Sequence, residues 1–196
     1  MKKIKSIALK IAKPFIQLLD GAQVRWKPMF FSLGPTSYKV KGENQREIMD
    51  TILPGDIILT KNDHYLTSIL IPGHYSHLGI YVGANKVIHA VNNRGVIKED
   101  ILDFLRVDEA VVLRLVGITI EERIEACVRA NKELGKEYDY QFNFEDTSKF
   151  SCIELVYRCY EGMDSGLKKR ISGFYKGRII PDDVLKTAFK AIYRSR

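Results

Sequence analysis

The stretch "SHLGIYVGANKVIHAV" (Ser76–Val91) predicts an antiparallel β-hairpin, and this hairpin decides the class of fold. Two runs rich in β-branched and aromatic residues flank a short Gly-Ala-Asn-Lys turn, which is typical of neighbouring antiparallel strands. Further strands are predicted at Asp56–Thr60 and Ala110–Val116, and a helical pattern begins only after Thr119. Strands followed by helices, with hairpin connections, indicate an α+β protein and argue against an alternating βαβ one.

Helical periodicity predicts three helices in the second half of the chain. They cover about Ile120–Leu134, Ser151–Tyr160 and Pro181–Tyr193. The first is bounded by a Thr119-x-x-Glu122 capping box and by Gly135. Asp182 is the predicted cap of the third helix.

The net charge of +7 is concentrated at the N-terminus. Residues 1–30 hold seven basic residues and one acidic residue, so the rest of the chain is almost neutral. The main domain therefore has no general need for a polyanion, and no nucleic-acid partner is expected. The count of three cysteines is odd, which favours free thiols in a reducing, cytoplasmic compartment.

Residues 1–30 predict a basic amphipathic helix that either lies on a membrane surface or packs on the main domain. Its apolar positions are Ile4, Ile7, Ile11, Phe15 and Leu18. Lys10 and Lys13 interrupt the run that a signal peptide needs, which leaves an atypical export signal as the alternative. The turn-rich stretch Gly34–Glu47 predicts a linker between an N-terminal extension (residues 1–45) and the main domain (residues 46–196).

In "KFSCIELVYRCY", Cys152 takes the first position of a predicted helix, with Ser151 and Glu154 as a capping box. A thiol there faces the positive end of the helix dipole and free N–H groups, which favour the thiolate and can hold an oxyanion during acyl transfer. The alternative is an unreactive buried thiol, the usual state of a free cysteine. Cys127 and Cys159 are predicted core residues.

Two of the four histidines lie in the predicted hairpin and are candidates for a base and its orienting partner. A three-residue loop would place His89 opposite Tyr81, about 13 Å along the strand from His77. The two histidines share a face only if the loop has an odd number of residues or a bulge, and direct contact then requires a register shift or strong coiling. Otherwise Asn92 or Asn93 would orient His77.

The other two histidines, His64 and His74, lie in loop-like sequence. A metal site built from all four histidines is the alternative use of these side chains, but their spacing matches no zinc pattern. No metal and no cofactor are therefore predicted. The stretch Gly73–Tyr75 is a predicted rim of the site because of its Gly-His-Tyr composition.

Four motifs, in this order, resemble the permuted NlpC-like (papain-like) cysteine hydrolases, and especially their YiiX/YebB-like branch. The motifs are "LPGDIILT", "SHLGIYVGANKVIHA", "LGKEYDYQFNFED" and "FSCIELVYRCY". They span roughly residues 50–190, and the histidines precede the cysteine as in the circularly permuted members. The resemblance implies a circularly permuted papain-like α+β fold, with an antiparallel sheet or small barrel packed against helices, and the predicted N-terminal helical extension precedes it.

The resemblance also implies the roles of three catalytic residues. Cys152 matches the nucleophile, His77 the base, and His89 the third, orienting residue. The branch usually has Cys-Ser-Glu-Leu-Val at the nucleophile, and Ile153 replaces that serine here. The pair Tyr138-Asp139 also matches the family and is expected to shape the approach to the thiol.

The function implied is a cysteine peptidase or amidase that cleaves an amide bond through a thioester acyl-enzyme. Its substrate would be a peptide or an amino-acid-derived amide. One alternative is a membrane-associated thiol acyltransferase or lipid hydrolase, like the lecithin retinol acyltransferase-like enzymes, acting on an acyl lipid. A second alternative is a non-catalytic binding module. The sequence carries no signal of oligomeric state.

Overall fold

The computed structural model describes residues 38–63, 73–163 and 179–195. The predicted amphipathic helix of residues 1–30 and His64 lie outside these residues, whereas the predicted rim Gly73–Tyr75 lies within them. No helix within the described ranges is both long and apolar enough to span a bilayer.

Six strands form one antiparallel sheet, and two short strands form a separate parallel ladder. The strands are β1 (Ile57–Lys61), β2 (His77–Gly83), β3 (Lys86–Val91), β4 (Gly95–Asp100), β5 (Glu109–Leu115), β6 (Glu137–Tyr138), β7 (Lys149–Phe150) and β8 (Phe189–Arg194). The order in the large sheet is β4-β3-β2-β1-β5-β8. Of the two predicted forms, the open sheet is confirmed, and the described strands form no closed barrel.

Helices cover both faces of the large sheet. They are α1 (Glu43–Thr51), α2 (Ile101–Phe104), α3 (Ile120–Lys132) and α4 (Cys152–Cys159), with a 3-10 helix at Pro181–Lys186. Leu78 and Ile80 of β2 share one core with α3 and α4. Tyr81 of the same strand shares the second core, on the other face, with α1 and α2. This alternation in β2 follows from the period of two along a strand.

The hairpin of β2 and β3 contains the bulge that brings its two histidines together. A two-residue turn at Ala84 and Asn85, both with positive φ, joins the strands, and the register shifts between Tyr81 and Gly83. Ile80 consequently faces Ile88, which moves His89 to the position opposite Gly79. A three-residue loop therefore does not occur, and the histidines meet through a bulge with a register shift.

The C-terminal part of the chain is a strand where a helix was predicted. Only Pro181–Lys186 is helical, and β8 pairs with β5 from Leu115–Phe189 to Val111–Arg194. The edge of β5 offers backbone partners that a helix could not use, and this tertiary pairing overrides the local helical period. Asp182 is not a helix cap, because its carboxylate accepts from the N–H groups of His74 (2.6 Å) and Tyr75 (2.7 Å).

Helix α1 replaces the last part of the predicted linker. It begins at Glu43, inside the turn-rich stretch, and buries Ile48 completely. Val40, just before the helix, donates its N–H to the carbonyl of Val107 at 3.0 Å. The polar composition predicted a linker here because the helix exposes its charged side to solvent and buries only one of its residues.

Candidate active site

The first turn of α4 sets the position of Cys152. The Glu154 carboxylate accepts from the Ser151 N–H at 2.7 Å, so the helix begins at Cys152 as predicted. Strand β7 leads directly into this turn and pairs with β6 at Tyr138 and Phe150. The nucleophile candidate is therefore held between a helix start and a short strand ladder.

The thiol of Cys152 is buried and protonated at neutral pH. Only 5% of the residue is exposed, and burial raises its pKa to about 11. The backbone N–H groups of Leu78 and Ile153 act on the same pKa in the opposite direction. The thiol thus lies against the backbone of the residue that follows His77.

The imidazoles of His77 and His89 form a direct pair. His77 Nε2 lies 2.8 Å from His89 Nδ1, and the ring of Phe104 packs on both. Gly79 leaves the room for this cluster, because a Cβ there would lie 2.6 Å from Val87 and 3.1 Å from Phe104. Burial, and then the neighbouring imidazole of His89, lower the pKa of His77 to about 3, so His77 is neutral at pH 7.

No hydrogen bond joins Cys152 to His77 among the contacts of the described residues, and the two are linked through the backbone of Leu78. His77 uses Nε2 for His89, and Nδ1 is its other ring nitrogen. Catalytic hydrogen bonds are often long without substrate and tighten when it binds. The resting arrangement is therefore a neutral thiol and a neutral imidazole rather than an ion pair.

Two buried carboxyl groups, those of Asp139 and Glu154, lie at the start of α4. Asp139 is completely buried, and its carboxylate accepts from the N–H groups of Gln141 (2.8 Å) and Asn143 (2.7 Å). Burial, with Asp139 adding to it, raises the pKa of Glu154 to about 7. Burial also raises the pKa of Tyr138 well above its usual value, and the neighbouring Cys152 acts in the same direction. Tyr138 of the matched pair therefore lies beside the thiol, and Asp139 lies beside Glu154.

The other candidates for orienting His77 or holding a metal lie elsewhere. The side-chain oxygens of Asn92 and Asn93 accept from the Tyr140 hydroxyl. His74 is exposed and pairs with Glu109 at 2.7 Å. No group of three or more His, Cys, Asp or Glu side chains within the described ranges is arranged to hold a metal ion.

Sequence reasoning missed two neighbours of the histidine pair, Phe104 and Glu99. Phe104 belongs to the short helix α2, which was not predicted, and Glu99 belongs to β4, which was also not predicted. The carboxylate of Glu99 lies 3.3 Å from His89 Nε2. The alternation of "GVIKED" after the predicted hairpin was the available signal for β4.

Comparison with known protein families matches residues 51–185 to the family described as permuted papain-like amidase enzyme, YaeF/YiiX, C92. Among solved structures, the chain is similar to the crystal structure of the metalloprotein yiiX from Escherichia coli O157:H7. The TM-score is 0.59 at 21% identity, over 74% of this chain and 98% of that chain. At this identity the likeness shows the fold alone. No curated protein matches the chain.

Proposed function

Because the chain belongs to the permuted papain-like amidase family YaeF/YiiX, C92, we propose that it cleaves an amide bond through a thioester acyl-enzyme. The family is one of cysteine peptidases and amidases, so the chain is a cysteine hydrolase. The finer proposal rests on one observation, the thiol of Cys152 at a helix start against the residue after His77. The proposed substrate is a peptide or an amino-acid-derived amide.

The proposed reaction starts from neutral groups. His77 Nδ1 takes the proton of Cys152 as Sγ attacks the substrate carbonyl, and the free N–H groups of the first turn of α4 hold the oxyanion. The imidazolium then gives its proton to the leaving amine, and the C–N bond breaks to leave a thioester. Water, deprotonated by His77, attacks the thioester and releases the acid and the thiol.

The pairing of the two histidines supports the role of His89. Its Nδ1 lies 2.8 Å from His77 Nε2, which is the distance of a hydrogen bond between the base and an orienting group. An orienting partner fixes both the tautomer and the direction of the catalytic imidazole. We therefore assign His89, rather than Asn92 or Asn93, to this role.

A cysteine-selective acyl probe tests the enzyme assignment. We expect one adduct per chain, on Cys152, with loss of the adduct in Cys152→Ala and its retention in Cys159→Ala. His77→Ala should slow the labelling by at least 100-fold, because a positioned base contributes about 10²–10⁴. Intact mass and peptide mapping measure the adduct. Identical, negligible labelling of the wild type and Cys152→Ala would favour the non-catalytic binding module.

A second candidate function is acyl transfer to or from a lipid. The basic, amphipathic pattern of residues 1–30 favours it, because such a segment can bring a catalytic site to an anionic membrane surface. We propose a cytoplasmic protein with peripheral membrane contact. A full-length variant with Lys10→Glu and Lys13→Glu should lose binding to anionic vesicles. Unchanged vesicle binding and unchanged acyl transfer would remove the support for this candidate.

The yiiX protein is called a metalloprotein, but the described residues of this chain do not fit a metal centre. His77 and His89 are engaged with each other, and His74 is engaged with Glu109. The proposed reaction therefore contains no step through a metal.

A further inference from the structure

Glu99 lies directly behind the histidine pair on strand β4. In the ladder of β3 and β4, His89 faces Ile97 and Val87 faces Glu99, so the side chains of His89 and Glu99 share one face of the sheet. Glu99 Oε2 lies 3.3 Å from His89 Nε2, and His89 Nδ1 lies 2.8 Å from His77 Nε2. The three side chains therefore form one row that ends at the proposed base.

The carboxylate of Glu99 lies within reach of the buried Nε2 of His89. The side chain of His89 is 6% exposed, and its Nε2 has no hydrogen bond of good geometry among the described residues. Glu99 is the carboxylate at ion-pair distance from this atom. A buried N–H without an acceptor is costly, so the contact with Glu99 has a clear energetic reason.

Glu99 is also held in its charged form. The neighbouring imidazole of His89 lowers the pKa of Glu99, and Arg94 Nη1 lies 3.5 Å from Glu99 Oε1. A charged carboxylate accepts hydrogen bonds and donates none. The proton between Glu99 and His89 must therefore belong to His89.

We propose that Glu99 is a positioning residue that fixes the tautomers of both histidines. If His89 carries its proton on Nε2 for Glu99, its Nδ1 is an acceptor in the neutral ring. His77 must then carry its own proton on Nε2, where it donates to His89. The lone pair of His77 is thereby left on Nδ1, the ring nitrogen that is not paired with His89 and that takes the thiol proton in the proposed reaction.

Without the carboxylate, the opposite arrangement is equally consistent with the 2.8 Å contact. His89 could then donate from Nδ1 to His77 Nε2, which would place the His77 proton on Nδ1. An imidazole in that tautomer cannot take a proton from Cys152 at Nδ1. The tautomer of His77 that the proposed reaction requires is thus decided by Glu99, which is separated from the thiol by the two histidines.

The tautomers are measured directly by ¹⁵N NMR of the full chain labelled at histidine, at pH 7.5. In the wild type we expect His89 protonated at Nε2 and His77 protonated at Nε2. Glu99→Leu should show both tautomers of His89 or the Nδ1–H form. Glu99→Gln should retain the wild-type pattern, because an amide oxygen still accepts a hydrogen bond. The matched control Glu125→Gln breaks an exposed ion pair with Arg129 and should change neither spectrum.

The same variants link the tautomer to reactivity. Because the inference rests on the proposed function, labelling of Cys152 by the acyl probe is measured beside the spectra. We expect Glu99→Leu to slow labelling by about 10–100-fold, within the contribution of a positioned base, and Glu99→Gln to restore most of it. Circular dichroism confirms that each variant is folded.

Two outcomes would overturn the inference. A wild-type His89 protonated at Nδ1, or unchanged tautomers in a folded Glu99→Leu, would show that Glu99 does not set the protonation pattern. Failure of the proposed function is distinct from both: Cys152 would then resist the probe in the wild type, whatever the spectra show.

Discussion

Helices α3 and α4 begin with the same kind of motif, and they differ in what surrounds it. The box of α3, Thr119-x-x-Glu122, lies at the surface, with Glu122 accepting from the Thr119 N–H at 2.8 Å. The box of α4 is buried, with Ser151 completely and Glu154 almost completely covered. The residue after the cap is Ile120, 71% exposed, in α3 and Cys152, 5% exposed, in α4.

The comparison separates two contributions to a reactive helix start. Both starts have the free N–H groups and the dipole that favour an anion. Only at α4 does burial work against the anion, because it raises the pKa of Cys152 and that of Glu154. The motif therefore positions the thiol, and a base is needed to activate it.

The largest expected difference is in thiol reactivity. Alkylation of Cys152 by iodoacetamide should rise about tenfold per pH unit from pH 7 to pH 9, a total of about 100-fold, because its pKa is about 11. In Ile120→Cys, the new thiol takes the same helix position without burial, so its alkylation should level off near pH 8. Peptide mass spectrometry after timed quenching follows each thiol separately.

The same experiment can contradict the conclusion that burial keeps the Cys152 thiol neutral. If alkylation of Cys152 levels off below pH 8, the thiol is already ionised at rest and the pair with His77 is an ion pair. The buried Cys159 is the internal reference, because it is completely covered and its pKa is raised by burial.

The next difference is in stability. Glu154→Ala should lower the free energy of unfolding by about 3 kcal/mol at pH 5, because it leaves the buried Ser151 N–H without its acceptor. The matched Glu122→Ala should cost about 0.5–1 kcal/mol, since water replaces the lost contact at the surface. Urea unfolding measures both. Equal losses for the two variants would contradict the assigned role of burial.

The smallest difference is in the pH dependence of stability. The pKa of Glu154 is raised from 4.5 to about 7 in the folded state, so its contribution is fully present below pH 4.5 and is lost as the pH rises through 7. Relative to Glu154→Gln, the wild type should lose about 2–3 kcal/mol between pH 5 and pH 8. The low pKa of His77 has the opposite effect: its contribution to stability is present above pH 6.5 and is lost as the pH falls below 6.5. The wild type and Glu154→Gln share this contribution, so it cancels in their comparison.

Glu122→Gln is the control for this measurement. Its unfolding free energy should run parallel to that of the wild type over the same pH range, because the carboxyl group faces solvent. A flat difference between the wild type and Glu154→Gln would mean that Glu154 remains charged in the folded state at low pH.

Local patterns were sufficient to predict the parts of the fold that depend on near neighbours. The strands at Asp56–Thr60 and Ala110–Val116 were confirmed as β1 and β5 within one or two residues. The capping boxes correctly predicted where α3 and α4 begin. The buried states of Cys127 and Cys159 were also confirmed, because apolar helical spacing marks the core face directly.

Other features depend on contacts that no local pattern contains. The bulge between Tyr81 and Gly83 sets the register of the histidines, and its one-residue shift leaves no trace in the composition of the strands. Strand β8 owes its form to β5, about 80 positions earlier in the chain. Glu99 reaches His89 only through the register of β3 and β4, so the pattern of histidines alone could not point to it.

Strand β8 also protects the edge of β5. It covers one edge of β5, a strand whose central four residues are completely buried or nearly so. An uncovered edge of this kind offers unpaired N–H and C=O groups to any extended chain, and it is a common starting point of aggregation. The exposed Lys190 and Arg194 place charge on the strand that takes over this edge. Removing the six residues of β8 would therefore lower solubility by exposing the edge of β5.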